Sequence, residues 1–218
     1  MVAQITDGTA FDKRGRPFRR RYYLPGILLF VALAVVTMFV WVIALNQPVD
    51  VHEAAACNPP PPAADPTAPA QQLGEQLSRS TMTDVTPAKL ADTKIRVLNA
   101  SGQGGQAAEV AGELRDLGYA EPAAANDTVY ANARLECQGQ IRFGPSGRAA
   151  AAAVWLVAPC TELFQDQRSD ATVDLAIGTE FTELTHSDDI DAVLASLRPD
   201  ATQAADPTLL KKIHTAAC

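Results

Sequence analysis

No Cys-x-x-Cys pair occurs in this chain of 218 residues, and its three histidines, His52, His186 and His214, lie far apart. A zinc site needs grouped Cys and His ligands, so this absence excludes a zinc module and leaves no metal to expect. It also argues against a catalytic dithiol, which usually sits in that motif. A Gly-x-Ser-x-Gly nucleophile elbow is missing as well. Positive charge is scarce outside the first residues. Residues 1–23 carry six basic and two acidic side chains, net +4, while the whole chain is −7, so residues 24–218 carry −11. That acidic bulk excludes nucleic acid as a partner and offers no general attraction to anionic polymers, although it leaves room for a local anion pocket.

Charge is missing altogether between Leu24 and Leu45. About 20 apolar residues are enough for one helix to cross a bilayer. Tyr22, Tyr23 and Trp41 stand near the ends of the run, where aromatic rings favour the headgroup zone. A cleaved signal peptide would have an apolar core of roughly 7–15 residues and a small-residue cleavage site. Here the run is longer and ends in Val42-Ile43-Ala44-Leu45-Asn46, a poor site. Ala54-Ala55-Ala56-Cys57 faintly suggests a lipoprotein box but lacks the usual leading Leu. The reading is a retained, single-pass anchor in the cytoplasmic membrane. The basic cluster Lys13, Arg14, Arg16 and Arg19–Arg21 holds the N-terminus in the cytoplasm, and the rest of the chain is expected outside.

The expected organisation is a cytoplasmic tail over 1–23, a transmembrane helix over 24–45 and a Pro/Ala-rich linker over 46–92. A folded domain over 93–198 and a C-terminal helix in 199–218 follow. Pro59–Pro62 favours extended polyproline II, a stiff spacer. Within the linker, Leu73 and Leu77 are four apart and suggest a short amphipathic helix over 70–78. All four cysteines, Cys57, Cys137, Cys160 and Cys218, follow the anchor, in space where disulfides persist. Three connectivities are possible. Cys137–Cys160 with Cys57–Cys218 is favoured, the first closing a short loop.

Two strand–turn–helix units follow. Ile95–Leu98 reads as a strand, Ala100–Gly105 as a turn and Ala107, Val110, Ala111, Leu114 and Leu117 as one apolar helical stripe, stopped by Gly118. Gln140–Phe143, Gly144–Gly147 and Arg148–Val157 repeat the pattern. Thr161–Gln165 and Thr172–Ile177 read as further strands. Ser187 caps a helix with Asp188 and Asp189 in its first turn. The expected fold is therefore α/β, a small mixed-sheet domain of four or five strands with helices packed on it. Trp155, among apolar neighbours, is expected in the core. Two strand orders compete: strands 140–143 and 161–165 adjacent and parallel, or a ferredoxin-like order with a strand between them.

Gly102-x-Gly104-x-x-Ala107, with Glu121 beyond, has the outline of a dinucleotide loop, but the domain is short for that fold and no cofactor is expected. The glycines are read first as a tight turn, and second as amides at a helix start that can receive a ligand. Asn99, Ser101, Gly102, Gly104 and Gly105, together with Gly144 and Ser146 of the second turn, are the candidate contact residues. Ser146 and His186 with an aspartate do not make a credible triad, since Ser146 is better placed as a helix-start residue. Asp188, Asp189 and Asp191 lack the spacing of a calcium loop.

The set Val97–Gly105, Ala107-Ala108, Val110-Ala111, Leu114 and Leu117–Tyr119, then Ile141–Pro145, Ala149–Val154 and Ala171–Phe181, resembles the LytR C-terminal domain over about residues 93–182. The resemblance implies a membrane-anchored protein supporting cell-envelope integrity in mycobacteria and relatives, with a cell-wall polymer or an envelope-assembly protein as partner. Larger relatives carry a LytR-CpsA-Psr phosphotransferase domain. This chain has no room for one, so that activity does not carry over, and a non-enzymatic binding or scaffold module is expected. An envelope glycan hydrolase or transferase, or a structural assembly factor, is the alternative. The stretch Ala123–Gln138, which brings in Cys137, is an insertion relative to the family pattern.

Overall fold

The computed structural model describes residues 23–46, 56–62 and 73–215. Residues 1–22, the parts 47–55 and 63–72 of the Pro/Ala stretch, and Cys218 lie outside the described residues. The chain divides into two units, Met1–Asp50 and Val51–Cys218.

The first unit holds helix α1, Leu24–Asn46. Every side chain from Tyr23 to Trp41 is exposed, and the span Leu24–Trp41 is long and apolar enough to cross a membrane. Exposed leucine, phenylalanine and valine in such numbers are unfavourable in water and favourable in hydrocarbon.

The second unit is a mixed α/β domain. Its strands are β1 (Glu75–Leu77), β2 (Lys94–Asn99), β3 (Ala120–Asn126), β4 (Gly139–Phe143), β5 (Glu162–Gln165) and β6 (Val173–Ile177). Its helices are α2 (Gln106–Leu117), α3 (Arg148–Trp155), α4 (Asp188–Ser196) and α5 (Pro207–Thr215). The six strands make one sheet in the order β1-β5-β4-β6-β2-β3. Two parallel units, β2–α2–β3 and β4–α3–β5, run in opposite senses. Strand β6 joins them, parallel to β2 and antiparallel to β4. Strands 140–143 and 161–165 are thus adjacent and parallel, the first of the two expected orders.

Alternation fixes which side of the sheet is buried under helices. Ile95 and Val97, Ile141 and Phe143, and Val173, Leu175 and Ile177 point into the main core with α2, α3 and α4. Trp155 is fully buried there, as expected, and its indole Nε1 donates to the carbonyl of Pro159 at 3.1 Å. Ser187 caps α4, its Oγ accepting from the Ile190 amide at 3.2 Å.

Two expectations need correction. The short helix expected over 70–78 is not seen in its described part, 73–78: Glu75–Leu77 is extended and pairs antiparallel with Leu163–Gln165. Strand β5 would otherwise end the sheet with unpaired amides and carbonyls, and that pairing outweighs a two-leucine helical period. Leu73, Met82 and Leu90 are buried, so much of the stretch read as linker belongs to the folded unit.

The disulfide is the second correction. Cys57 joins Cys137 with Cα atoms 4.9 Å apart, so neither Cys137–Cys160 nor Cys57–Cys218 forms. Cys137 belongs to a small cluster on the far side of the sheet with Ala100, Tyr130, Leu135 and Ala176. Cys160 follows α3 and lines a different cavity with Pro159, Phe181 and His186. Adjacent strand starts do not suffice when the two sulfurs leave in different directions. Cys160 is itself disulfide-bonded.

Candidate functional site

Strand β2 ends at Asn99, whose side chain organises the Gly-rich turn. Its Oδ1 accepts from the amides of Ser101 at 3.2 Å and Gly102 at 3.1 Å, and its Nδ2 donates to the Gln103 carbonyl at 2.6 Å. The buried Ser101 hydroxyl accepts from the Gln103 amide at 3.1 Å and sits 2.6 Å from Gln106 Oε1. Gln106 Nε2 in turn donates to the Phe181 carbonyl. Gly102 and Gly105 hold φ of +78° and +88°, a region that favours glycine. The turn therefore satisfies its own first amides. What remains turned outward is Gly104 and Gly105, with open space around both and the free amides of a helix start behind them.

The second turn lies elsewhere. Ile177 of β6 stands opposite both Asn99 and Gly139, while Val173 stands opposite both Ile95 and Phe143. The end of β4, with Gly144 and Ser146, is therefore at the other end of the sheet from Gly102–Gly105. Four residues of strand separate the two ends, roughly 13 Å. The two turns do not form one surface. Gly144 is buried, and a side chain there would run into the Arg168 backbone. Ser146 is exposed within a short 3-10 turn, Pro145–Gly147. His186 lines the cavity beside Cys160, far in the chain from Ser146 and in a different group of residues. Among the described residues no three His, Cys, Asp or Glu side chains gather as a metal site would require.

Sequence reasoning passed over a cluster of ion pairs on the sheet. On the side of the sheet away from the helices, Arg142 of β4, Asp174 of β6 and Arg96 of β2 occupy one row across three neighbouring strands. Arg96 grips Asp174 with two bonds, Nε to Oδ1 at 2.7 Å and Nη2 to Oδ2 at 2.8 Å. Arg168 reaches the same Oδ2 at 2.8 Å and clasps Asp166 at 2.6–3.0 Å. Burial works against the Arg168 charge, but its hydrogen bonds to Asp166 and Asp174 prevail and hold its pKa above the ordinary value. Arg142 pairs with Asp127 at 2.7 Å and with Gln140 Oε1 at 2.9 Å.

These groups differ in reach. Arg142 and Asp127 are almost wholly buried, whereas the Arg96 side chain is 53% exposed. A cavity of about 400 Å³ opens over the row, bounded by Leu73, Leu98, Ala125 and Val129 as well as the charged groups. Its wall is the segment after β3. Asp127 accepts from the Tyr130 amide at 2.8 Å, the Tyr130 hydroxyl donates to the Asn58 carbonyl at 2.7 Å, and Asn58 Nδ2 donates to the Arg134 carbonyl at 2.9 Å. Cys57–Cys137 fixes this packing covalently. A signal for the row was present: each of the three central strands has a charged residue flanked by apolar ones, Ile95-Arg96-Val97, Ile141-Arg142-Phe143 and Val173-Asp174-Leu175. Such a charge in a buried strand needs a partner across the sheet.

Comparison with known proteins places this architecture. Residues 92–181 match the family described as LytR cell envelope-related transcriptional attenuator. Over 100% of both chains, the sequence is 65% identical to a Mycobacterium tuberculosis protein named cell envelope integrity protein Cei. The fold is similar to the crystal structure of the soluble domain of a conserved hypothetical secreted protein from Mycobacterium marinum. That similarity has a TM-score of 0.67 and 69% identity, and covers 68% of this chain and 100% of that one.

Proposed function

This chain belongs to the family of the cell envelope integrity protein Cei, with a LytR C-terminal domain within it, and from that premise we propose that it is a membrane-anchored binding or scaffold module acting outside the cytoplasmic membrane. Helix α1 is the anchor in this reading, with the basic N-terminus inside. The domain acts by holding a cell-wall polymer or an envelope-assembly protein, without catalysis of its own. The observation that carries the reading is the side of the sheet that no helix covers. One side is sealed by helices, while the other keeps a cavity whose carboxylates are clamped by guanidiniums at 2.6–2.8 Å. Charge clamped in this way is suited to recognition, because the groups are already oriented before a ligand arrives. The Cys57–Cys137 bond supports an oxidising compartment.

A second contact is proposed at the Asn99–Gly105 turn, where Gly104 and Gly105 stand exposed at a helix start. Gly144 and Ser146, at the other end of the sheet, are not part of it.

The test is genetic and direct. In a mycobacterium lacking its own copy, the full chain restores resistance of the envelope to a permeant dye. A version with an unrelated single-pass anchor restores it equally, and the anchor with no domain does not. Rescue by the anchor alone removes the domain-centred reading.

A further inference from the structure

The cavity over Arg96, Asp174 and Arg168 has a composition that narrows its ligand. Its charges cancel. Three guanidiniums, Arg96, Arg142 and Arg168, face three carboxylates, Asp127, Asp166 and Asp174. No positive surplus remains to draw in a phosphate or an acidic peptide, and the acidic chain around it would repel both. What does remain is hydrogen-bonding capacity. A guanidinium has five N–H groups. Arg96 spends two on Asp174 and keeps the others unspent, its half-exposed side chain forming part of the lining of the cavity. Beside these donors, Leu98, Ala125 and Val129 supply an apolar floor.

We propose that this cavity is a binding site for a neutral saccharide segment, a deepening that rests on the reading of this domain as a polymer-binding module. A sugar ring has the complementary anatomy. One face presents C–H groups that suit Leu98, Ala125 and Val129. Its rim presents hydroxyls, each both donor and acceptor, that suit the unspent N–H groups of Arg96. The array is held before binding by bidentate ion pairs and by a covalently fixed wall, so little ordering remains for the ligand to drive. The cavity volume of about 400 Å³ falls in the ordinary range for small-ligand sites. Asp127, buried beneath, orients Arg142, which lines the cavity and is itself almost wholly buried.

The experiment uses the isotopically labelled full chain in detergent micelles, titrated separately with neutral arabinogalactan oligosaccharides of four to six sugars and with inorganic phosphate. The expected result is that the oligosaccharide shifts the amides of Arg96, Leu98 and Asp174 and phosphate does not. Arg96→Ala weakens the oligosaccharide by ten-fold or more, and Ala125→Trp, a substitution on an exposed strand position that fills the opening, abolishes it, the second with unchanged thermal melting. Shifts confined to Gly102–Gly105 and indifferent to both variants overturn this site and leave the polymer-binding reading standing. Phosphate binding here in place of saccharide overturns the ligand class. Absence of any saccharide shift overturns the proposal outright, while the permeability test still judges the broader function on its own terms.

Discussion

A side chain added at Gly144 would meet the backbone carbonyl of Arg168, and neither strand nor loop has an easy way to retreat. Gly144→Ala is therefore expected to cost about 2–3 kcal/mol, the upper part of the range for overpacking, measured as a lower urea midpoint. Gly104 has nothing within 4 Å of a built Cβ, so Gly104→Ala is expected to change stability by about 0.5 kcal/mol or less. The pair separates a glycine needed for close approach from one merely sitting in a turn. His214 is a second residue-scale case. It is buried on α5 and stacked on Trp155 at 4.2 Å between ring centroids. Burial pushes its pKa below the ordinary value, with the nearby Arg79 charge acting in the same direction. Below the unfolded value of 6.5 the unfolded chain binds a proton that the folded chain refuses, so this contribution is complete above that pH and is lost as pH falls through it. The urea midpoint is expected to drop between pH 7.5 and 5.5, with a shallower slope in His214→Phe, which keeps the ring stack and removes the titration.

Among the elements, the disulfide-pinned segment carries the clearest consequence. Cys57 and Cys137 are 80 residues apart, and closing such a loop stabilises by about 4–5 kcal/mol in the chain-entropy model. Replacing both with Ser is expected to cost about 2–5 kcal/mol and to loosen the wall formed by Asn58, Tyr130 and Leu135, seen as faster hydrogen exchange there. Peptide mapping of the oxidised chain is expected to recover Cys57 with Cys137, and Cys160 with a peptide containing Cys218, the one cysteine left in the sequence. The elements themselves were largely legible. Strands β2, β4 and β6 alternate, α2 carries a full apolar stripe ending at Gly118, and α4 has Ser187 where a cap belongs. These are local signals, set within a dozen residues. Strand β1 was not legible, because its three residues are extended only through pairing with β5, nearly 90 positions on. The lone charges in these strands were visible, but which of them pair was illegible for the same reason. Arg96 and Asp174 are 78 residues apart, and nothing in either strand names the other until the order β4-β6-β2 is known. The cysteine pairing failed because parallel adjacency of β4 and β5 gave the positions of the strand starts but not the side of the sheet each sulfur faces.

At the scale of the whole molecule, charge asymmetry and redox chemistry point the same way and can be set against each other. Six basic residues precede Tyr22, and the residues after them total −11 from Leu24 onward. Lys and Arg within about 15–20 residues of a span resist translocation, so the N-terminus should stay inside and the Cys57–Cys137 bond should form outside. Changing Lys13, Arg14, Arg16 and Arg19–Arg21 to Gln removes that bias without touching α1 or the domain. In living cells, the unaltered chain is expected to resist a thiol-alkylating reagent added before reduction. The six-fold variant is expected to divide into two populations, one oxidised and one alkylated at Cys57 and Cys137, because part of it now leaves the domain in the reducing cytoplasm. Since the variant keeps the anchor, both populations should remain with the membrane fraction. Alkylation of Cys57 and Cys137 in the unaltered chain would put the domain on the cytoplasmic side, out of reach of any wall polymer, and the envelope-binding reading would fall with it.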